Sequence, residues 1–268
     1  MPMIRLSKIM EELELVAPSS LKCPWDNVGL LVGDENQKIS RVFVCLDITS
    51  ANVRDAIDFG ADLIISHHPL IMEPLKSITE NGITQGIVRA LIQNNISAFC
   101  MHTSFDMADG GMNDLLAQKL GLENIRKFTP DEAIGEDGEK LDGIGRVGTL
   151  ERPLSLAEFI SSAKSALGCA ALKYCGNPSE QIQTVALCSG SGGSELYAAY
   201  NSGADVYVTA DLKHDHGRIA RELGLNIIDA GHFETENIIC EFLADFFYHR
   251  FPDLEVRCSS AAPYFSTL

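Results

Sequence analysis

A repeated segment constrains the fold of this chain more than any other feature of its sequence. Residues 60–66 read GADLIIS, and residues 203–209 read GADVYVT. In both copies an apolar run rich in β-branched residues follows the aspartate. Such a run is typical of a strand that is covered on both faces. We therefore predict that the same local structural unit occurs twice in the chain.

The similarity extends to both sides of this segment. The apolar run 41–46 corresponds to 184–189, and the run 95–99 corresponds to 226–228. Each copy predicts the order strand, helix, strand, helix, strand, and this alternation is typical of an α/β fold. We expect an α/β protein with two similar α/β lobes, produced by internal duplication, and a functional site between the lobes.

The two copies differ in length. The GAD segments are 143 residues apart (203 minus 60), but the histidines that follow, His102 and His232, are 130 residues apart (232 minus 102). The first copy therefore carries 13 extra residues (143 minus 130), which we place within residues 69–86.

An acidic, glycine-rich stretch at residues 128–145 predicts an exposed connection between the lobes. The predicted first lobe covers residues 1–127, and the predicted second lobe covers residues 146–268. With 268 residues and 46% hydrophobic content, the chain is long enough for one large domain or two modest ones with a substantial core. We expect the two lobes to form one compact unit.

Histidines and carboxylates recur at matching positions of the two copies. HTSFD places His102 four residues before Asp106, and GHFETE places His232 four residues before Glu236. The adjacent pair His67-His68 closes the apolar run of the first GAD segment. Together these side chains offer enough nitrogen and oxygen ligands for two divalent metal ions.

The local geometry of these ligands leaves some alternatives open. Neighbouring residues on a regular strand point to opposite faces, so either the strand ends before His67 or His67 and His68 serve different ions. Pro69 favours the first alternative. If a helix opens at Glu234, His232 and Glu236 lie within one turn, and Glu236 could bridge the ions. His102 could be a ligand, an outer-shell partner or a proton carrier.

Three further segments each have two interpretations. The glycine-rich residues 189–195 could cradle an anion at a helix start or form a plain tight turn. Residues 211–217, DLKHDHG, could contact substrate through Lys213, His214 or His216, or could be a solvated helix start. Trp25, in the segment WDNVGLLVGD, is expected to anchor packing.

Charge and cysteine content narrow the class of protein. The formal net charge is −16, from 37 acidic and 21 basic residues, and this excess of negative charge disfavours sequence-independent binding to nucleic-acid phosphates. Nothing in the sequence resembles a membrane span of about 18 to 20 apolar residues. The eight cysteines include no Cys-x-x-Cys pair, so neither a disulfide framework nor a zinc ribbon is indicated. We expect a cytoplasmic protein.

Six segments together resemble one known family. They are WDNVGLLVGD at 25–34, SHHPL at 66–70, HTSFD at 102–106, LDGIGRVGTL at 141–150, CSGSGGS at 188–194 and GHFETE at 231–236. This combination resembles the NIF-three-like dinuclear metal centre family, whose members are labelled GTP cyclohydrolase I type 2 homologues.

The resemblance implies two similar α/β lobes that enclose a two-metal site, in a toroidal homohexamer assembled from trimers. It implies metal ligands at His67, His68, Asp106, His232 and Glu236, with Glu236 bridging. Because the ligands are imidazole and carboxylate groups, the ions could be zinc, iron, manganese, cobalt or nickel.

Three functions are compatible with such a site. The first is a metal-dependent hydrolase acting on a nucleotide or small anion, for instance by opening the purine ring of GTP, with His102 or His214 transferring protons. The second is a phosphoesterase. Residues 66–68, SHH, resemble the Asp-His-His signature of one phosphoesterase family, but Ser66 stands where that family has an acidic ligand. The third is a metal-stabilised toroidal scaffold or regulatory protein that binds a partner.

Overall fold

The computed structural model describes residues 3–266 and shows a mixed α/β fold, as predicted. Within that range the ten α-helices are α1 (Leu6–Val16), α2 (Ser50–Phe59), α3 (Ile83–Gln93), α4 (Thr103–Met107), α5 (Met112–Lys119), α6 (Leu156–Leu167), α7 (Leu196–Asn201), α8 (His214–Leu223), α9 (His232–Glu236) and α10 (Ile238–Arg250). The thirteen strands of the same range are β1 (Ile4–Arg5), β2 (Gly29–Val32), β3 (Lys38–Ile39), β4 (Arg41–Cys45), β5 (Leu63–Ser66), β6 (Ser97–Cys100), β7 (Glu123–Lys127), β8 (Arg146–Ser155), β9 (Lys173–Cys175), β10 (Gln181–Leu187), β11 (Val206–Thr209), β12 (Asn226–Asp229) and β13 (Glu255–Cys258). None of these helices is long and apolar enough to span a lipid bilayer.

The described chain divides into two compact units. The first unit ends at Ala108 and resumes over Asn237–Ala262, and the second covers Asp109–Glu236 and resumes at Pro263. The lobes predicted at residues 1–127 and 146–268 differ from this division. Two pairings explain the difference: β7 pairs with β8 in the sheet of the second unit, and β13 pairs with β4 in the sheet of the first.

A five-stranded sheet forms the centre of the first unit. Its strand order is β13-β4-β5-β6-β2, in which β13, β4, β5 and β6 are parallel and β2 is antiparallel to β6. Phe43, Ile64 and Ala98 of the three central strands are buried in one core cluster with Val53 of α2 and Val88 of α3. Strands and connecting helices therefore bury their apolar faces together.

A six-stranded sheet forms the centre of the second unit. Its order is β7-β8-β10-β11-β12-β9, and β10, β11 and β12 are parallel. Ala186, Tyr207 and Ile227 of these strands are buried with Leu196 of α7 and Ala220 of α8. In both units, three parallel strands joined by two helices are followed by an antiparallel neighbour of the third strand. Both units therefore contain the predicted order of strand, helix, strand, helix, strand.

The aspartate of the GAD segment has the same structural role in the two units. Asp62 accepts a hydrogen bond from the backbone N–H of Arg41 at 3.0 Å, at the start of β4. Asp205 accepts one from the backbone N–H of Thr184 at 2.7 Å, in β10. Each aspartate precedes the second parallel strand of its unit and binds the first. The repeated segment therefore aligns two neighbouring parallel strands.

A buried acidic side chain makes the second unit sensitive to pH. Glu195 ends a 3₁₀ turn, Gly193–Glu195, and only 1% of the residue is exposed. Its carboxylate accepts a hydrogen bond from the backbone N–H of Gly143 at 3.0 Å. Burial, with the neighbouring charge of Asp142, raises the pKa of Glu195 to about 7 although this hydrogen bond opposes the rise. Ionisation of Glu195 therefore costs folding free energy.

Replacing Glu195 by glutamine is expected to remove this pH dependence. The pKa of the glutamic acid side chain rises from 4.5 to about 7 on folding. The stability that protonated Glu195 contributes is therefore fully present below about pH 4.5 and is lost as the pH rises through about 7. Relative to wild type, the free energy of unfolding of the variant should rise by roughly 2 kcal/mol between pH 5 and pH 8. Chemical denaturation at both pH values measures it.

The matched control is Glu222→Gln, an exposed glutamate on α8 of the same unit. The free energy of unfolding of Glu222→Gln should differ from that of wild type by the same amount at pH 5 and pH 8. Parallel stability curves for wild type and Glu195→Gln would contradict the prediction.

Candidate metal centre

Three histidines of the first unit lie where parallel strands end. β5 ends at Ser66, so His67 and His68 follow it directly, and His102 comes two residues after β6. The strict alternation of side chains no longer applies beyond the strand. The rings of His67 and His68 have their centroids 5.1 Å apart. The prediction that the strand stops before the histidine pair is confirmed.

All three rings are oriented through Nδ1 by an oxygen acceptor. The contacts are His67 with the Met101 carbonyl at 2.9 Å, His68 with Asp47 at 2.8 Å and His102 with Asp26 at 2.8 Å. Carbonyl and ionised carboxylate oxygens accept hydrogen bonds and do not donate them, so Nδ1 carries the proton in each ring. Nε2 of the neutral imidazole then presents a lone pair, which is the form of histidine that binds a metal.

The three histidines lie in one cluster, and Asp106 contacts it. One ligand nitrogen from each histidine lies within 4.8 Å of the other two. Nε2 of His67 also lies 3.5 Å from Oδ1 of Asp106, which α4 carries. His67 and Asp106 are buried, whereas the side chains of His68 and His102 are 23% and 15% exposed. One side of the cluster is therefore open to a small ligand.

Asp26 connects His102 to the loop that precedes β2. Its carboxylate accepts hydrogen bonds from His102 Nδ1 and from the backbone N–H of Thr103 at 3.0 Å. Burial by itself would raise the pKa of Asp26, but hydrogen bonds from His102 and Thr103 outweigh burial and hold that pKa at about 2. Asp26 therefore stays ionised at neutral pH and fixes the orientation of the His102 ring.

Trp25 does not have the packing role predicted for it. The residue is 55% exposed, and its ring meets the His102 ring nearly edge-on, with centroids 5.9 Å apart. Its neighbour Asp26 is 5% exposed and accepts a hydrogen bond from the backbone N–H of Thr103, which ties this loop to the start of α4. The aspartate of this loop, and not the tryptophan, is the buried anchor.

The second unit holds a matching histidine and carboxylate. His232 opens α9 and Glu236 closes it, with His232 Nε2 and Glu236 Oε2 2.9 Å apart. Nδ1 of His232 lies 2.7 Å from Asp211, so this ring is also oriented by an oxygen acceptor. The helix begins at His232 instead of Glu234, and the two side chains lie within one turn, as predicted.

Gly190 closes one side of this pair. A Cβ atom at residue 190 would lie 2.0 Å from Oε1 of Glu236 and 3.1 Å from Nε2 of His232. The backbone φ angle of +58° also favours glycine. The turn that follows β10 therefore leaves no room for a side chain between residue 190 and the Glu236 carboxylate.

The glycine-rich segment 189–195 is a tight turn whose amides bind the protein itself. Four of its backbone N–H groups donate to protein oxygens: Ser189 to Asn113, Gly190 to Thr235, Gly192 to Thr209 and Glu195 to the Gly192 carbonyl. These four groups are engaged and cannot cradle an anion. These contacts fit the tight-turn interpretation.

The segment DLKHDHG is split between two roles. Asp211 orients His232, whereas Lys213, His214 and Asp215 are exposed at the start of α8. His216 accepts a hydrogen bond from the backbone N–H of Lys213 at 3.1 Å, which stabilises the first turn of the helix. The exposed part of the segment matches the predicted solvated helix start.

The donor set fits a divalent metal ion. Asp106 and Glu236 are buried at 5% and 4% exposure, and a buried carboxylate is stable only where positive charge or hydrogen bonds compensate it. Imidazole nitrogens oriented through Nδ1, beside carboxylate oxygens, are the usual ligands of zinc, iron, manganese, cobalt and nickel.

Sequence reasoning missed the residues that orient the ligands. Asp26 and Asp47 were not singled out, and Asp211 was given no role of its own within the segment DLKHDHG. Asp26 is the second residue of WDNVGLLVGD, Asp47 comes two residues after β4, and Asp211 is the first residue of DLKHDHG. An aspartate close to a strand end in a chain with unassigned histidines is a signal that could have found them.

Comparison with known proteins identifies the family. The family model described as Duf34/NIF3 (NGG1p interacting factor 3) matches residues 4–263. A Clostridium perfringens protein named GTP cyclohydrolase 1 type 2 homolog is 36% identical over 236 residues, covering 87% of this chain and 87% of that protein. A Streptomyces coelicolor protein of the same name is 35% identical over 242 residues, covering 89% of this chain and 84% of that protein.

A solved structure shares the fold. A Bacillus cereus protein described as related to NIF3 superposes with a TM-score of 0.89 at 24% identity, and the match covers 100% of both chains. Because the family model spans nearly the whole chain and both relatives align over most of it, this chain belongs to the Duf34/NIF3 family.

Proposed function

We propose that this protein is a metal-dependent hydrolase with a two-metal centre. The proposed ligands are His67, His68 and Asp106 in the first unit and His232 and Glu236 in the second. The observation that carries the proposal is the common orientation of four histidine rings, each held at Nδ1 by an oxygen acceptor at 2.7 to 2.9 Å. This arrangement keeps Nε2 available to a metal.

Two divalent ions held by these donors would lower the pKa of water towards neutrality and polarise the bond under attack. The chain itself binds and orients the ions and moves protons. His102 is the proposed proton carrier, because ionised Asp26 at Nδ1 stabilises the ring when Nε2 takes up a proton. His214, exposed at the start of α8, is proposed as a second carrier.

The proposed substrate is GTP or a related small anionic compound, and the proposed reaction opens the purine ring. Support comes from the names of the relatives, which refer to GTP cyclohydrolase. Since the chain has a formal net charge of −16, bound metal ions would supply the positive charge that an anionic substrate needs. The proposal includes the predicted homohexamer and a cytoplasmic location.

Two alternatives remain distinct from this proposal. A phosphoesterase is disfavoured because Ser66, at the position of the acidic ligand, donates its hydroxyl hydrogen to the backbone carbonyl of His68 at 2.7 Å. A metal-stabilised scaffold uses the same ligands without turnover. The scaffold predicts that loss of a ligand weakens assembly, whereas the hydrolase predicts loss of turnover in an intact assembly.

Metal content tests the proposed ligands. Wild-type protein purified without chelator should contain about two ions per chain, and Glu236→Gln and His67→Ala should each contain about one or fewer. Each variant removes a donor atom, so the affinity of the site falls. Elemental analysis by mass spectrometry measures the ratio.

The matched control for metal content is His249→Ala. This exposed histidine of α10 bonds the backbone carbonyl of Asp245 and lies outside the proposed ligand set. It should retain wild-type metal content. Metal-free wild type, or wild-type content in both ligand variants, would refute the two-metal centre.

Gly190→Ala is expected to weaken metal binding although no ligand is removed. The added Cβ would lie 2.0 Å from Oε1 of Glu236 and would displace that carboxylate. Metal affinity should fall by about tenfold or more, measured by competition with a chromophoric chelator. Gly217→Ala in α8 is the control, because nothing lies within 4 Å of its added Cβ. Equal affinity in both variants would show that the turn does not shape the site.

Turnover tests the reaction. Metal-loaded wild type should open the purine ring of GTP, followed by ultraviolet absorbance and chromatography. His102→Ala should retain its metal and lower kcat by about a hundredfold, because a positioned proton carrier contributes at least that much. An equal kcat in wild type and His102→Ala would exclude this role for His102.

Glu236→Gln separates the hydrolase from the scaffold. Loss of GTP turnover with an unchanged oligomer by light scattering supports the hydrolase. If metal-loaded wild type leaves GTP and a panel of nucleotides unchanged, and Glu236→Gln dissociates the oligomer, the scaffold replaces the proposed function.

A further inference from the structure

Two cysteines of the first unit are in contact outside the candidate metal centre. Cys240 lies in the first turn of α10, and Cys258 is the last residue of β13. The Cys258 thiol donates a hydrogen bond to the backbone carbonyl of Cys240 at 3.3 Å. Helix and strand therefore bring the two cysteines together across 18 positions of sequence (258 minus 240).

Both cysteines are held by regular structure. β13 pairs in parallel with β4, with Cys258 opposite Val44, and the backbone N–H of Ser259 donates to the Val44 carbonyl at 2.7 Å. The Cys240 thiol lies 3.4 Å from the Asn237 side-chain oxygen at the start of α10. The thiol pair is thus fixed by a strand ladder on one side and a helix start on the other.

The two thiols differ in solvent exposure. The hydrogen bond from Cys240 lowers the pKa of Cys258 although burial opposes this, and Cys258 is partly exposed. Cys240 is 5% exposed, and its hydrogen bond with Cys258 and its burial raise its own pKa. Burial also raises the pKa of Cys45, and it raises the pKa of Cys100 to about 12. Because Cys258 is partly exposed and Cys240 is buried, a peroxide reaches the Cys258 sulfur first, and Cys258 is assigned as the attacking thiol.

We propose that Cys258 and Cys240 form a reversible disulfide when the protein meets hydrogen peroxide. The Cys258 thiolate attacks one peroxide oxygen, the O–O bond breaks, and Cys258 becomes a sulfenic acid while water is released. The Cys240 sulfur then attacks the Cys258 sulfur, the S–S bond forms, the S–O bond breaks, and a second water leaves. Two thiols and one peroxide thus give one disulfide and two waters.

The disulfide would join the last strand of the first unit to α10. Such a crosslink restricts the unfolded chain and stabilises the folded one. Because Cys240 follows Glu236 by four residues, the oxidised segment continues directly from a proposed metal ligand. Disulfide formation itself requires neither a bound metal nor the proposed hydrolase activity.

Peptide mapping after peroxide treatment tests the proposal directly in wild-type protein. One equivalent of hydrogen peroxide should yield a crosslinked peptide pair containing Cys240 and Cys258, two hydrogens lighter than the reduced pair. Dithiothreitol should restore both thiols. The oxidised protein should show a Tm higher by a few degrees. Crosslinks between other cysteines instead, or two intact thiols after treatment, would overturn the proposal.

Variants separate the attacking thiol from the resolving one. Cys240→Ser should trap a sulfenic acid on Cys258, detected as a dimedone adduct, and Cys258→Ser should give neither adduct nor disulfide. Cys45→Ser is the matched control and should form the disulfide as wild type does. A dimedone adduct on Cys240 in Cys258→Ser would reverse the assigned roles and overturn the proposal as stated.

Discussion

The fixed Nδ1 atoms of four imidazole rings are the constraint on which the candidate site depends. A free histidine ring can rotate and exchange its proton between two nitrogens, and an oxygen acceptor at Nδ1 stops both. The acceptors come from the chain around the strand ends: Asp47 follows β4 and orients His68 after β5. In the second unit, Asp211 follows β11 and orients His232 after β12. Parallel pairing of neighbouring strands therefore positions the candidate ligand and also the carboxylate that orients it.

The strands and the histidines could be predicted because their signals are local. Apolar runs that end in histidine, repeated at matching positions, indicate strands with ligands at their carboxyl ends. The orienting contacts could not be predicted in the same way, because they join residues distant in sequence. Asp26 and His102, for example, are 76 positions apart. Which acidic side chain reaches which ring depends on the order of strands in the sheet, and apolar periodicity carries no information about that order.

The boundary between the two units also depends on contacts between residues that are distant in sequence. A drop in apolar content marks residues 128–145 as a connection, but the two units are divided by strand pairing and packing. β13 completes the sheet of the first unit by pairing with β4, some two hundred residues earlier in the chain. Trp25 is a related case: a large aromatic residue is typical of a core, yet a buried aspartate anchors its loop and leaves the ring exposed.

The hydrogen bonds of Asp62 and Asp205 lie near the amino ends of the parallel strands, whereas the histidines follow the carboxyl ends. Each aspartate aligns two neighbouring strands at the ends opposite to the histidines. From Asp62 to His67 the extended chain covers five residues, roughly 16 Å at about 3.3 Å per residue. A slip of one residue at the aspartate would turn every following side chain to the other face. The positions of the candidate ligands at the carboxyl ends of the strands therefore depend on an alignment made at the amino ends. A substitution at a remote aspartate such as Asp62 would shift the candidate ligands through the strand itself.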